Sequence, residues 1–293
     1  MHTKHPVFLY SILMVHWGYI VRQPGATAAQ AAYILPPPTT IVGAYGNPLA
    51  RLLGIPDYIG PREKTNLPVQ NKYMDCLVRA TLAAGAGLIP SPRLSVGAVT
   101  YEEPSRIMGT PYKGGGDYQK AVKQPIYVSA TTLLPVQAVG ATSAPGALLA
   151  TGWLVDADML ASCIGKRISL EDFEAAAWSV YRLGSREGLV HTVKAGVVET
   201  KDLDRPEGWF KSILYQDRFC VNIRRGKFAK VTMIGYDYKE REFFVPCGEA
   251  SGINILLPPT RSVTYRILPG CKASGTRVEL AGSRIDFYLA YRG

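Results

Sequence analysis

Acidic residues, clustered cysteines and long apolar runs are what this sequence most lacks. Among its 293 residues no Asp or Glu precedes Asp57, none falls between Asp117 and Asp156, and none between Glu249 and Glu279. Against 23 Asp and Glu stand 33 Lys and Arg, a formal charge of +10. Such an excess points to a polyanionic partner, nucleic acid or an anionic membrane surface, with solubility as the plain alternative. Five cysteines (Cys76, Cys163, Cys220, Cys247, Cys271) are odd in number and contain no Cys-x-x-Cys pair. That spacing argues against a disulfide framework and a zinc site, and leaves buried free thiols in a reducing compartment as the expectation. The histidines His2, His5, His16 and His191 offer no metal-ligand spacing, so neither metal nor other cofactor is expected.

What is present is a globular composition, 47% apolar and 19% charged, with ample material for a core. Pro6 to Val21 is an apolar run preceded by Lys4 and followed by Gly25 to Ala29, which imitates a secretory signal. It is short of the about 20 residues of a membrane span, and it contains His16, Trp17, Gly18 and two tyrosines. A strand buried on both faces produces the same pattern and is the preferred reading. His16, mid-run among apolar residues, is then expected in the core.

Leu35-Pro36-Pro37-Pro38-Thr39-Thr40 follows; three prolines hold the chain extended, and Thr39 or Thr40 can cap a helix carrying Ile41, Val42, Tyr45, Leu49, Leu52 and Leu53 on its apolar face. Gly54 ends it, Pro48 suggests a kink, and Arg51 falls on the outer face. Residues 68–84 read as a second helix with Tyr73, Cys76, Leu77 and Ala80 on one side. Strand-like runs around 93–101 and 125–139 flank Pro111 to Lys120, whose three glycines mark the tip of a long hairpin. That hairpin interleaves Lys113, Lys120 and Lys123 with Tyr112, Tyr118 and Tyr127, as single-strand grooves do. Ser169 and Asp172 form a capping-box variant for a helix with Phe173, Ala176, Ala177, Val180 and Tyr181 in its stripe, stopping at Gly184. Leu189 to Val198 is a strand, and the rest is β-rich. One hairpin is read from Phe219–Ile223 and Lys230–Ile234 around an Arg224-Arg225-Gly226-Lys227 tip, another from Thr276–Leu280 and Ile285–Tyr291. Without the extra helix, residues 1–200 have the split βαβ order of the ferredoxin-like fold.

Tyr10 to Gly54, with its long strand ending Ile20-Val21-Arg22 and its block Tyr33-Ile34-Leu35-Pro36-Pro37-Pro38-Thr39-Thr40-Ile41-Val42-Gly43-Ala44, resembles the start of the Cas-five family. These are CRISPR-associated proteins of the repeat-associated (RAMP) superfamily. Arg182-Leu183-Gly184-Ser185-Arg186-Glu187-Gly188-Leu189-Val190 resembles the motif after the second core helix in the archaeal type I-A branch. The resemblance covers residues 1–200. It implies an α+β protein: a ferredoxin-like RAMP domain at 1–204 with a thumb insertion at about 95–130, and a smaller β-rich C-terminal region at 205–293. It further implies a cytoplasmic, non-catalytic RNA-binding subunit of a type I Cascade complex that holds the 5′ handle of the CRISPR RNA. Its partners would be that RNA, the backbone and large subunits and, through the complex, target DNA, with no membrane.

The expected RNA contacts are Arg22 at the end of the first strand, Thr39 and Thr40 at the helix start, and Tyr112, Lys113, Lys120 and Lys123 on the hairpin. Arg182, Ser185 and Arg186 complete the set after the second core helix. Type I-C relatives are instead metal-independent endoribonucleases, for which His191, Lys194 and Tyr181 are chemically sufficient candidates. A structural His191 is the plainer reading. An exported basic envelope protein with residues 1–29 as signal is the remaining alternative.

Overall fold

An apolar run that needs no polar face belongs inside a sheet, and that is where the computed structural model puts it. The structure describes residues 6–16, 18–19, 21, 33–55, 72–90, 98–103, 137–142, 147–184, 188–199, 208–248, 250–251 and 255–293. Strand β1 (Pro6–Val15) is an inner strand of a four-stranded antiparallel sheet. Its neighbours are β5 (Ala147–Asp156) and β6 (Val190–Glu199), and β2 (Thr81–Leu88) lies beyond β5. The order across the sheet is therefore β2-β5-β1-β6. Among the described residues no helix is long and apolar enough to cross a membrane.

One face of this sheet carries the helices. Helix α1 (Pro38–Leu52) starts at the proline block, with Pro37 as N-cap and Pro38 supplying no N–H that would need a partner. Thr39 and Thr40 thus lie in the first turn and do not cap it, contrary to expectation; no side chain caps this end. Ile41, Val42, Tyr45 and Leu49 are buried as read, whereas Leu52 is exposed in the last turn. Helix α2 (Lys72–Ala80) buries Tyr73, Cys76, Leu77 and Ala80. It ends four residues before the expected limit, because Thr81 to Leu88 is the strand β2. Helix α3 (Ala157–Ile164), capped by Asp156, and the strand β5 before it had no counterpart in the sequence reading. Helix α4 (Leu170–Trp178) has the Ser169–Asp172 capping box, with Asp172 N–H donating to Ser169 Oγ at 3.2 Å and Ser169 N–H to Asp172 Oδ2 at 2.8 Å. It stops at Trp178, well short of Gly184, and Tyr181 is exposed instead of sharing the stripe of Phe173, Ala176 and Ala177.

The cysteines overturn the free-thiol expectation. Cys76 of α2 and Cys163 of α3 form a disulfide, as do Cys220 and Cys271; buried Cys247 alone is free. The partners are 87 and 51 residues apart, and the fold brings each pair of Cα atoms to 5.6 and 5.4 Å, a separation a disulfide spans.

The second face of the sheet is covered by strands. Strands β15 (Cys271–Leu280) and β16 (Ser283–Arg292) form a hairpin that begins five residues before the expected Thr276. Its two-residue turn has Ala281 at φ 47° and Gly282 at φ 77°, the mirror-type turn that suits twisted strands. Val278, Ile285, Phe287 and Leu289 share a core with Phe8, Ile12, Ala150 and Leu154 of the sheet. The segment Ile213–Tyr215 crosses β2, with Tyr215 N–H donating to Ala86 O at 3.0 Å. Strand β2 is consequently built of Ala and Gly: a Cβ on Gly87 would overlap the Ile213 carbonyl.

Strands β7 (Trp209–Ser212), β9 (Val221–Arg225) and β14 (Val263–Ile267) make a second sheet in the order β7-β14-β9. Strand β10 (Phe228–Ile234) pairs with β11 (Glu240–Pro246), which also pairs with β8 (Gln216–Asp217). The expected hairpin of β9 with β10 is therefore not formed. The two strands part at Gly226 and enter different sheets, β9 pairing with β14 and β10 with β11. Strands β3 (Ala98–Glu103) and β4 (Gln137–Thr142) pair antiparallel from Ala98↔Thr142 to Glu103↔Gln137. Of the thumb expected at about 95–130, residues 98–103 form β3, and residues 104–130, with the expected hairpin tip at Pro111 to Lys120, lie outside the described residues. The two-residue strands β12 (Ala250–Ser251) and β13 (Ile255–Leu256) extend this sheet, β13 pairing with β3.

Candidate functional site

The start of α1 is held from two sides. Tyr19 Oη donates to Ile34 O at 2.5 Å, and Tyr215 Oη, from the C-terminal region, donates to Pro36 O at 2.8 Å. Both rings are buried, and burial pushes both phenols well above their ordinary range, so they remain donors at any physiological pH. The Ile34 and Pro36 carbonyls accept, the prolines offer no competing N–H, and the first turn of α1 is set in place. Thr39 and Thr40 then line a cleft with a volume of about 390 Å³.

The opposite wall comes from the chain after α4. Tyr181 O accepts from Val190 N–H at 2.9 Å, and Leu183 N–H donates to Gly188 O at 2.8 Å, folding 181–190 back on itself. Tyr181 and Arg182 thereby face the cleft together with Asn47 of α1 and Tyr73 and Met74 of α2. The Tyr181 ring carries two guanidinium groups, Arg51 Cζ at 5.8 Å and Arg182 Cζ at 5.7 Å from its centroid. Such cation–π contacts order long side chains without neutralising them. Asn47 Oδ1 is buried and has no hydrogen-bond partner among the described residues, a costly state that an incoming donor would relieve.

Of the expected RNA contacts, the structure thus brings Thr39, Thr40 and Arg182 into one cleft. Arg22, Tyr112, Lys113, Lys120, Lys123, Ser185 and Arg186 lie outside the described residues. Asn47 and Arg51 were missed as members of this site. Thr40, Ala44, Asn47 and Arg51 fall at helical spacing on α1, a polar and small-residue stripe opposite the apolar one, and that pattern was the available signal.

The trio His191, Lys194 and Tyr181 is not assembled. Thr192 Oγ1 donates to Val180 O at 3.0 Å on the helix side of β6. His191, one position before it, therefore points to the other face, and there Lys194 Nζ donates to Glu279 O at 2.6 Å. Tyr181 remains on the helix side with Arg51. His191 instead faces His16, the ring centroids 5.8 Å apart. Both are exposed, which corrects the expected core position of His16: β1 makes its last sheet pairing at Val15, so His16 lies past the sheet's end. Among the described residues no cluster of three metal-ligating side chains occurs.

No protein-family model matches the chain, and no curated protein matches it in sequence. Its fold is similar to that of a CRISPR protein from Archaeoglobus fulgidus, with a TM-score of 0.56 at 14% identity. That match covers 98% of this chain and 100% of the other. A chain of a Type III-B Cmr-beta complex bound to cognate target RNA and AMPPnP aligns over 89% of this chain and 86% of its own, at 11% identity and a TM-score of 0.27. The full-length likeness to the Archaeoglobus protein gives this chain the fold of a CRISPR protein.

Proposed function

We propose that the chain is a CRISPR-associated RAMP protein of the Cas-five type, a non-catalytic RNA-binding subunit of a type I-A Cascade complex. In this reading it works in the cytoplasm, holds the 5′ handle of the CRISPR RNA, and docks the backbone and large subunits. The observation that carries the reading is the cleft in which Thr39 and Thr40, near the start of the chain, meet Tyr181 and Arg182 of the second motif. Hydroxyls at a helix start, guanidinium groups with no ion-pair partner among the described residues and an exposed ring are the parts that position a phosphate backbone and stack a base. The fold supports it as well: strands β1, β2, β5 and β6 with α1 and α4 follow the order and sheet arrangement of a ferredoxin-like split βαβ unit. The two disulfides are compatible with a cytoplasmic site where the host is a hyperthermophile. Cleavage of residues 1–29 as an export signal would remove β1, an inner strand of the sheet.

The test is binding of repeat-derived RNA across a salt series. Replacing Arg51 and Arg182 together by Ala should weaken binding and lower the slope of log affinity against log salt by about 1.4, at ~0.7 per phosphate contact. An unchanged slope with intact folding sinks the proposal. A second reading rests on His16 and His191, two exposed imidazoles side by side, which could serve as base and acid of a metal-independent endoribonuclease. Cleavage of repeat RNA in EDTA that disappears in His191→Ala would establish it over the first.

A further inference from the structure

The sheet β7-β14-β9 has one buried and one open face. Phe210 and Tyr265 point inward with Val221, Val263 and Ile267. Alternation then places Trp209 and Lys211 of β7, Thr264 and Arg266 of β14, and Asn222 of β9 on the outer face. The register puts Lys211 opposite Thr264, with Arg225 opposite Thr264 on the other side, and Trp209 opposite Arg266. No acidic residue occurs on the three strands. Trp209 is 55% exposed, a state with no folding rationale for so large a ring, and Arg224 Cζ lies 5.5 Å from its centroid.

Beside this face runs a groove with a volume of about 630 Å³, lined by Lys211, Arg225 and Arg261 together with Thr260, Ser262 and Thr264. The acid in its wall is already engaged, Asp286 accepting from Arg277 Nε at 3.0 Å. Lys211, Arg225 and Arg261 have no ion-pair partner among the described residues. Cations without counter-ions, hydroxyl donors and an exposed ring on one continuous surface match an extended polyanion carrying flat bases.

The geometry points to a second nucleic-acid site: the outer face of β7-β14-β9 and its groove hold a single strand, Lys211, Arg225 and Arg261 taking phosphates and Trp209 stacking a base. An acidic protein surface would match the cations but would leave the exposed Trp209 unexplained. This site is built from other residues than the cleft of α1 and does not depend on the reading given to that cleft.

Its test uses the full chain and fluorescent oligouridylate and oligothymidylate, with anisotropy read across a salt series. The background is Arg51→Ala/Arg182→Ala, so that the first cleft contributes little. Adding Lys211→Ala, Arg225→Ala and Arg261→Ala should lower the log–log salt slope by about 2. Trp209→Ala should weaken binding roughly tenfold with the slope unchanged, and Trp209→Phe should restore most of it. A charge-keeping variant, Lys211→Arg/Arg225→Lys/Arg261→Lys, should bind like its parent and exclude misfolding as the cause. The ribo- and deoxy-oligonucleotide arms identify which strand is preferred. Equal affinity and slope in the triple-alanine chain overturn the proposal, as does complete loss of binding in the background chain alone.

Discussion

The two faces of the central sheet are closed by different means. On the helix side the space is filled by large side chains: Trp153 is fully buried and stacks on Tyr45 at 6.0 Å. Polar atoms there are satisfied in a relay. Tyr45 Oη meets Thr151 Oγ1 at 2.9 Å, Thr151 donates to Ser11 O, and Ser11 Oγ donates to Ala177 O of α4. Trp153 Nε1 likewise donates to Thr81 Oγ1, which donates to Leu77 O. On the strand side Phe287 and Leu289 pack on Phe8 and Leu154, but at β2 the closure is backbone pressed on backbone, where Ile213–Tyr215 lies across its small residues. The helix side therefore tolerates no loss of volume at Trp153, and the strand side no gain at β2.

Removing volume should show the largest effect. Trp153→Ala is expected to cost about 4 kcal/mol of unfolding free energy through its cavity and the lost hydrogen bond to Thr81 Oγ1, measured by denaturant titration. Next comes the link that staples α2 to α3 on the same face: Cys76→Ala/Cys163→Ala should cost about 3 kcal/mol, because the bond closes a long loop in the unfolded chain. On the other face Gly87→Ala should cost about 2 kcal/mol by overpacking; the same substitution at half-buried Gly43, where an added Cβ meets nothing within 4 Å, should not destabilise. A Gly87→Ala chain of unchanged stability would erase the contrast between the faces. The smallest effect concerns pH at the turn between β10 and β11. Burial alone would raise the Asp237 carboxyl, but Arg241, bonded to it at 2.6 Å, holds it below its ordinary 3.8. The sign follows: this stabilisation is present above pH 3.8 and fades as pH falls through the lower folded value. Asp237→Asn should remove the corresponding acid sensitivity from the melting temperature.

The same contrast explains what could be read from the sequence. The helix side announces itself: apolar residues at helical spacing on α1, the Ser169–Asp172 box and the two-sided apolar β1 all have local signatures. Strand β2 has none. Thr81-Leu82-Ala83-Ala84-Gly85-Ala86-Gly87-Leu88 has, after Thr81, none of the β-branched and aromatic residues that mark strands, since its composition answers to a segment crossing it from far along the chain. The disulfides were hidden for the same reason, their partners meeting only in the fold. In the candidate cleft, Thr39, Thr40 and Arg182 were found through motifs. Arg51 and Asn47 belong to no motif, and a polar helix stripe such as theirs ordinarily means solvent.

Tyr215 joins what the chain order keeps apart. Its segment leaves directly from β7, which carries Trp209 and Lys211, and its hydroxyl ends on Pro36, two residues before α1. The cleft and the basic sheet therefore share a mechanical element, and any free-energy coupling between them must be reciprocal. A strand seated on one surface would alter affinity at the other by the same factor that it experiences in return. Tyr215→Phe would cut that connection at a single atom while leaving every proposed contact of both surfaces in place.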